Sequence, residues 1–208
     1  MKSPIMIVCE GSSEENYLIQ LNRIFRYTDS GCGVVFIACN AHGGKYSFVR
    51  KKYNETLARN KKQKDSIKIW VDKDLYIRKG TEENLKYNSG DYLISKCFFS
   101  LMNFEDYLAL HCLPEIAKDW QNTCDSNNHF VDPMHSSKYE ELFVKFINKN
   151  FNVDYKKGDV PFALTRDVFL QLFENLKSGQ FKFKNDFGMF LMNLYYDKVI
   201  EFNDSFLE

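Results

Sequence analysis

Glu10, Asp72 and Asp74 each stand at the end of an apolar run. Ile5-Met6-Ile7-Val8-Cys9 leads into Glu10-Gly11-Ser12-Ser13-Glu14-Glu15, and Ile67-Lys68-Ile69-Trp70-Val71 leads into Asp72-Lys73-Asp74. In parallel α/β sheets, ligands bind beyond the carboxyl ends of the strands. Acids delivered there by two strands would make a site for a hard cation, Mg²⁺ or Mn²⁺, which takes oxygen ligands and completes its shell with water or phosphate. Asp72 and Asp74 are two apart, so an extended chain would point both to one face and Lys73 to the other. Carboxylates packed this closely repel one another, and a bound cation relieves the repulsion. The metal could polarise a phosphodiester and lower the pKa of an attacking water, with an uncoordinated carboxylate as general base. Plainer readings stay open at this point. Glu10 could be an exposed strand-end residue, and Asp72 and Asp74 could be turn residues. Glu14 and Glu15 could complement a helix dipole, with Ser12 and Glu15 forming a capping box.

The elements that would carry these acids follow from hydrophobic periodicity. Strand Ile5–Cys9 turns at Gly11 into a helix with Tyr17, Leu18, Leu21, Ile24 and Phe25 on one face. Strand Val34–Cys39 leads through Asn40-Ala41-His42-Gly43-Gly44 into a helix from Tyr46 to Asn60. Strand Ser66–Val71 ends in Asp72-Lys73-Asp74, residues 77–90 read as an exposed connection, and a fourth strand runs from about Tyr92 to Ser100. Asn103 then caps a helix over Phe104–Cys112. This order predicts an α/β fold with a mainly parallel sheet flanked by helices, covering residues 1–113. Residues 119–137 read as a polar loop. Three amphipathic helices follow, around Tyr139–Ile147, Val168–Leu176 and Phe187–Leu194, so residues 114–208 read as a helical extension packed on the core in one compact unit.

Lys plus Arg equals Asp plus Glu at 28 each, so net charge gives no support to general nucleic-acid binding. Residues 45–64 are locally basic: Lys45, Arg50, Lys51, Lys52, Arg59, Lys61, Lys62 and Lys64 stand against Glu55 alone. The segment is either a solvated helix face or a phosphate-binding face, with Lys45, Arg50, Lys51 and Arg59 as its nucleic-acid contacts. The six cysteines form no CxxC and read as the reduced thiols of a cytoplasmic protein. The spacing of Cys124, His129 and His135 fits no zinc pattern. His42, beside two glycines, could meet a phosphate, and His111 reads as a packed or surface histidine. No signal peptide or membrane-length apolar segment is expected.

Val8-Cys9-Glu10-Gly11-x-Ser13-Glu14 followed by Asp72-x-Asp74 resembles the Toprim fold of topoisomerases, bacterial primases and the OLD-family nucleases. Asn103-Phe104-Glu105-Asp106-Tyr107-Leu108-Ala109-Leu110-His111 is similar to a segment of the RloB-like, Toprim-related proteins found with phage-defence loci, with Tyr107 in place of their usual Trp. The resemblance covers roughly residues 5–112. It implies that Glu10, Asp72 and Asp74 are the metal and acid/base residues, with Glu14 and Glu105 as further acids at the metal and Lys157 as a counterpart of the lysine that joins OLD-type sites. The activity it implies is a Mg²⁺- or Mn²⁺-dependent nuclease of bacterial defence acting on DNA, RNA or tRNA. The alternative is a non-catalytic module that binds nucleic acid or a partner ATPase. GxxxxGK[ST] is absent, so such a partner would have to supply any ATP-driven step. A homo-oligomer is left open.

Overall fold

Alternation along the strands explains the layers of this chain. In the computed structural model, which describes residues 4–203, Ile5–Cys9 forms β1, with Ile7 and Cys9 facing one core and Met6 and Val8 facing another. Ile67–Asp72 forms β4 and repeats the pattern: Trp70 enters the first core, and Ile67, Ile69 and Val71 enter the second. Strands buried on both faces need helices on both. Ser12–Ile24 (α1) and Phe104–Ala109 (α5) contribute Tyr17, Leu21, Phe104 and Tyr107 to the first core. Tyr46–Arg59 (α2) and Asp74–Ile77 (α3) contribute Val49, Tyr53 and Tyr76 to the second.

The central sheet has five strands in the order β3-β1-β4-β5-β6, with β3 at Phe36–Asn40, β5 at Cys97–Leu101 and β6 at Lys184–Asn185. The first four are parallel and β6 is antiparallel to β5. The fold is therefore α/β with a mostly parallel sheet flanked by helices, as the element order predicts. Register sets Cys9 beside both Asn40 and Trp70, and Asp72 beside Ser100, so the carboxyl ends of four strands lie in a row.

Several expected boundaries move. The second expected strand begins at Phe36 rather than Val34, because Val34 N–H is drawn to Phe25 O at 3.1 Å. Phe25–Tyr27, read at most as a helix end, is β2 and pairs antiparallel with Ile200–Phe202, β7. The expected strand over Tyr92–Ser100 is strand only from Cys97, because a tight helical turn occupies Ile94–Lys96. The expected exposed connection contains Glu82–Asn88 (α4), capped by Thr81 Oγ1 accepting from Asn84 N–H at 3.1 Å. Residues expected to loop from 119 instead continue the helix Pro114–Ser126 (α6), where proline suits the first helical turn.

The remaining helices, Ser136–Phe151 (α7), Arg166–Ser178 (α8) and Asp186–Tyr196 (α9), fall where their apolar stripes predict. The second half of the chain is more than a helical extension, however, since it supplies β6 and β7. Its side chains also enter the first core: Phe187 stacks on Trp70 with centroids 4.2 Å apart, and Asn185 Nδ2 donates to Ser100 Oγ at 3.0 Å. No helix of the described residues is long and apolar enough to cross a membrane.

Candidate functional site

Beyond the row of strand ends lies a cleft of about 780 Å³. Glu10 follows β1, Glu14 lies in the first turn of α1, Asp72 ends β4, Asp74 opens α3 and Glu105 lies in the first turn of α5, and all five line it. The five acids expected at a metal are thus brought together from positions 10 to 105 of the sequence.

Local structure differs from expectation in how they get there. Gly11, not Ser12, is the N-cap of α1, and Gly11 N–H donates to Glu14 Oε2 at 3.1 Å. Glu15, expected in a capping box, instead accepts from Asn40 Nδ2 at 2.9 Å, because starting the helix one residue earlier turns Glu15 toward β3. Asp72-Lys73-Asp74 is not extended. Lys73 has helical dihedrals, and its N–H bonds Ser100 O at 2.9 Å and Met102 O at 3.1 Å, which turns the chain into α3. Both aspartates still reach the cleft. The Lys73 ammonium lies 4.8 Å from the centroid of the Tyr87 ring.

Two of the acids are shielded from solvent. Glu14 is 3 % and Glu105 7 % exposed. Burial disfavours the charged form and neighbouring carboxylates add repulsion. Burial, then Glu14 and Asp74, push Glu10 up to about 8; burial and then the Glu105 charge raise Glu14 to about 7. Burial and the charges of Glu10 and Glu14 hold Asp72 well above the ordinary carboxylate range, and burial raises Asp74 and Glu105 as well. Glu10 Oε2 accepts the Asp72 N–H at 3.2 Å and Asp74 Oδ1 accepts the Leu75 N–H at 2.6 Å. Asp72 Oδ1 is closed to solvent and has no hydrogen-bond partner.

The rim has the opposite character. His42, Arg78, His135 and Lys157 are exposed and line the same cleft. The positive charge of Lys157 opposes the upward shifts of Glu10, Glu14, Asp74 and Glu105. Arg78 and Tyr139 carry no motif that would single them out in the sequence, and His135 stands out there only by its nearness to Cys124 and His129. The second half of the chain brings Met134, His135, Ser136, Tyr139 and Lys157 to the cleft, a placement no local pattern encodes. Lys45, Arg50, Lys51 and Arg59 do not line it; they are exposed on and beside α2, where Arg50 and Lys51 border a separate shallow hollow with Tyr46 and Glu82.

A second group of metal-ligating types is buried behind α5. Asp106, Cys124 and His129 bring ligand atoms within 4.8 Å of one another and could hold a metal ion. Asp106, rather than the exposed His135, completes the pair Cys124–His129. Asp106 is already well employed: its oxygens accept from Trp120 Nε1 at 2.7 Å, Tyr139 OH at 2.9 Å, Asn103 N–H at 3.1 Å and Met102 N–H at 3.2 Å. His129 Nδ1 accepts from Met134 N–H at 3.0 Å, which leaves the proton of a neutral ring on Nε2, 3.5 Å from Asp106 Oδ2. These bonds tie α5, α6, α7 and the chain before α7 into one hub.

The six cysteines are free. His111 is buried: its Nε2 pairs with Tyr17 OH at 2.8 Å, and burial pushes its pKa down to about 4. No known family, no curated protein and no solved structure matches this chain.

Proposed function

We propose that the cleft is the active site of a Mg²⁺- or Mn²⁺-dependent phosphodiesterase that cleaves nucleic acid, in a Toprim-like fold of the kind found in phage-defence nucleases. The observation that carries this reading is that five carboxylates line one cleft, Glu14 and Glu105 of them buried, and that Asp72 Oδ1 is shielded there with no protein partner. A donor set made of oxygens suits Mg²⁺ or Mn²⁺, and its ligands would be drawn from among Glu10, Glu14, Asp72, Asp74 and Glu105. Bound there, the cation supplies Lewis acidity toward a phosphodiester and a lowered pKa for water. The chain's own groups do the rest. Asp72 N–H orients the Glu10 carboxylate, and a carboxylate left free of the cation takes the proton of the attacking water. Lys157 and Arg78 provide positive charge at the rim for the phosphate oxygens.

The second reading, a non-catalytic module that binds nucleic acid or a partner ATPase, is favoured by one observation: the basic residues of α2 lie apart from the acidic cleft. A single assay separates the two. The protein is incubated with plasmid, single-stranded DNA and total tRNA in Mg²⁺, Mn²⁺ or EDTA, beside the Glu10→Gln, Asp72→Asn double variant. Metal-dependent cleavage that falls by about 100-fold or more in the variant is expected. Binding without cleavage under either cation would select the second reading.

A further inference from the structure

Asn103 occupies the N-cap of α5 with extended backbone angles (φ −124°, ψ 162°), the position where an asparagine side chain ordinarily accepts a hydrogen bond from the first turn. It stands in a capping-box arrangement with Asp106, but its side chain closes no cap hydrogen bond. Its Oδ1 is buried and has no partner, and the residue lines the cleft. The start of α5 is secured in another way: Asp106 Oδ2 takes the N–H groups of Asn103 and Met102, and Asp106 N–H reaches the main-chain oxygen of Asn103 at 3.1 Å. The side chain of Asn103 is therefore released from the duty its position suggests.

It is also held next to the acids. Lys73 N–H bonds Ser100 O and Met102 O, which ties the Asp72 turn to the segment that leads into Asn103. Asp72 and Asn103, each with a shielded side-chain oxygen that has no partner, thus line one cleft together with four further carboxylates. An acceptor set among acceptors finds no donor in the protein, and a cation answers both. An amide carbonyl is an ordinary ligand for hard cations. As a neutral ligand it extends the shell without adding to the repulsion among the five acids.

We propose that Asn103 is a ligand of the divalent cation through Oδ1, the neutral member of an otherwise anionic set. This rests on the cleft being a cation site. The test measures Mn²⁺ binding to the full-length protein by titration calorimetry, together with metal-free melting, for the parent chain and for Asn103→Ala, Asn103→Ser, Asn103→Asp and Asp72→Asn. The expected result is Mn²⁺ affinity about tenfold or more weaker in Asn103→Ala and Asn103→Ser, with metal-free melting unchanged and binding kept in Asn103→Asp, which restores an oxygen. Asn103→Ser retains a hydroxyl able to cap α5, so it isolates the ligand role should Asn103→Ala fail to fold. Parent-like Mn²⁺ affinity in Asn103→Ser, with affinity lost in Asp72→Asn, would overturn the role of Asn103 and leave the site standing. No Mn²⁺ binding by the parent chain, or parent-like binding by Asp72→Asn, would overturn the site itself and the proposal with it.

Discussion

Each acid in the cleft is held in a state that water alone would not favour, and that has a signed consequence. Glu10 and Glu14 keep protons up to about pH 8 and 7 in the fold, whereas in an unfolded chain they release them near the usual ~4.3. Over that window the folded state binds more protons than the unfolded state, so stability falls as pH rises. His111 acts in the opposite sense. Its folded pKa of about 4 lies below the ordinary 6.5, so the unfolded state binds more protons between those values and stability rises with pH there. Above pH 6.5 the acids act alone among these three groups. In EDTA the melting temperature is expected to fall from pH 6.5 to 8. Mn²⁺ should cancel the fall, and Asp72→Asn should flatten it by removing one member of the repelling set. Melting curves at four pH values with and without Mn²⁺ check this; a flat EDTA profile in the parent chain would count against a desolvated acid cluster.

The turn between β3 and α2 and the buried ring network beside α5 show how elements set the site. Gly43 N–H donates to Glu10 O at 2.8 Å, and a Cβ built on Gly44 would fall on the Glu10 carboxylate itself. Gly44→Ala should therefore displace that carboxylate and weaken Mn²⁺ binding by about tenfold or more while the sheet, which it does not enter, stays intact. Calorimetry and far-ultraviolet circular dichroism on one preparation read both effects. Behind α5, Tyr17 OH lies 2.8 Å from both Tyr107 OH and His111 Nε2, and His111 Nδ1 lies 3.0 Å from Tyr107 O. Since that carbonyl only accepts, Nδ1 carries the proton, Tyr17 donates to Nε2 and Tyr107 donates to Tyr17. Tyr17→Phe strands a buried donor and a buried acceptor together, at about 1–3 kcal/mol each, measurable by urea unfolding. The free edge of β3 is managed by a side chain: Asn22 of α1 accepts from Phe36 N–H at 2.6 Å and donates to Phe36 O at 3.0 Å, occupying groups that another strand would otherwise pair.

Across the whole molecule the two halves share one interior. Trp120, Phe143, Phe169, Phe173 and Phe187 from the second half lie in the same cluster as Tyr17, Trp70 and Tyr107 from the first. β6 extends the central sheet, and β7 pairs with β2. A fragment of residues 1–113 would expose that cluster to water and leave β5 without its edge partner, so it is expected to be insoluble or to lack cooperative melting. Co-expression with residues 114–208 should restore a single transition. Cooperative folding of the fragment alone would show that its own core suffices. The cleft depends on the same union, since Tyr139, His135 and Lys157 reach it from the second half.

The order of βα units, the ends of β1 and β4 and the acids set on them could be read from sequence because they are local. An apolar run that stops at a carboxylate writes both the strand and its end, and two-faced burial follows from runs apolar on both sides. The stripes of α7, α8 and α9 were legible for the same reason. What only the tertiary structure decided depends on contacts distant in sequence. β2 and β6 are too short to carry a period, and they exist because β7 and β5 pair with them. Lys73 bends out of an extended path because a carbonyl of β5 and one just beyond it claim its N–H. Cys124 and His129 face Asp106, and Lys157 faces the acids, because folding the second half across the first brings them there. Desolvation, the force that shifts each acid in the cleft, has no local signature, because it is set by what covers a side chain rather than by its neighbours along the chain.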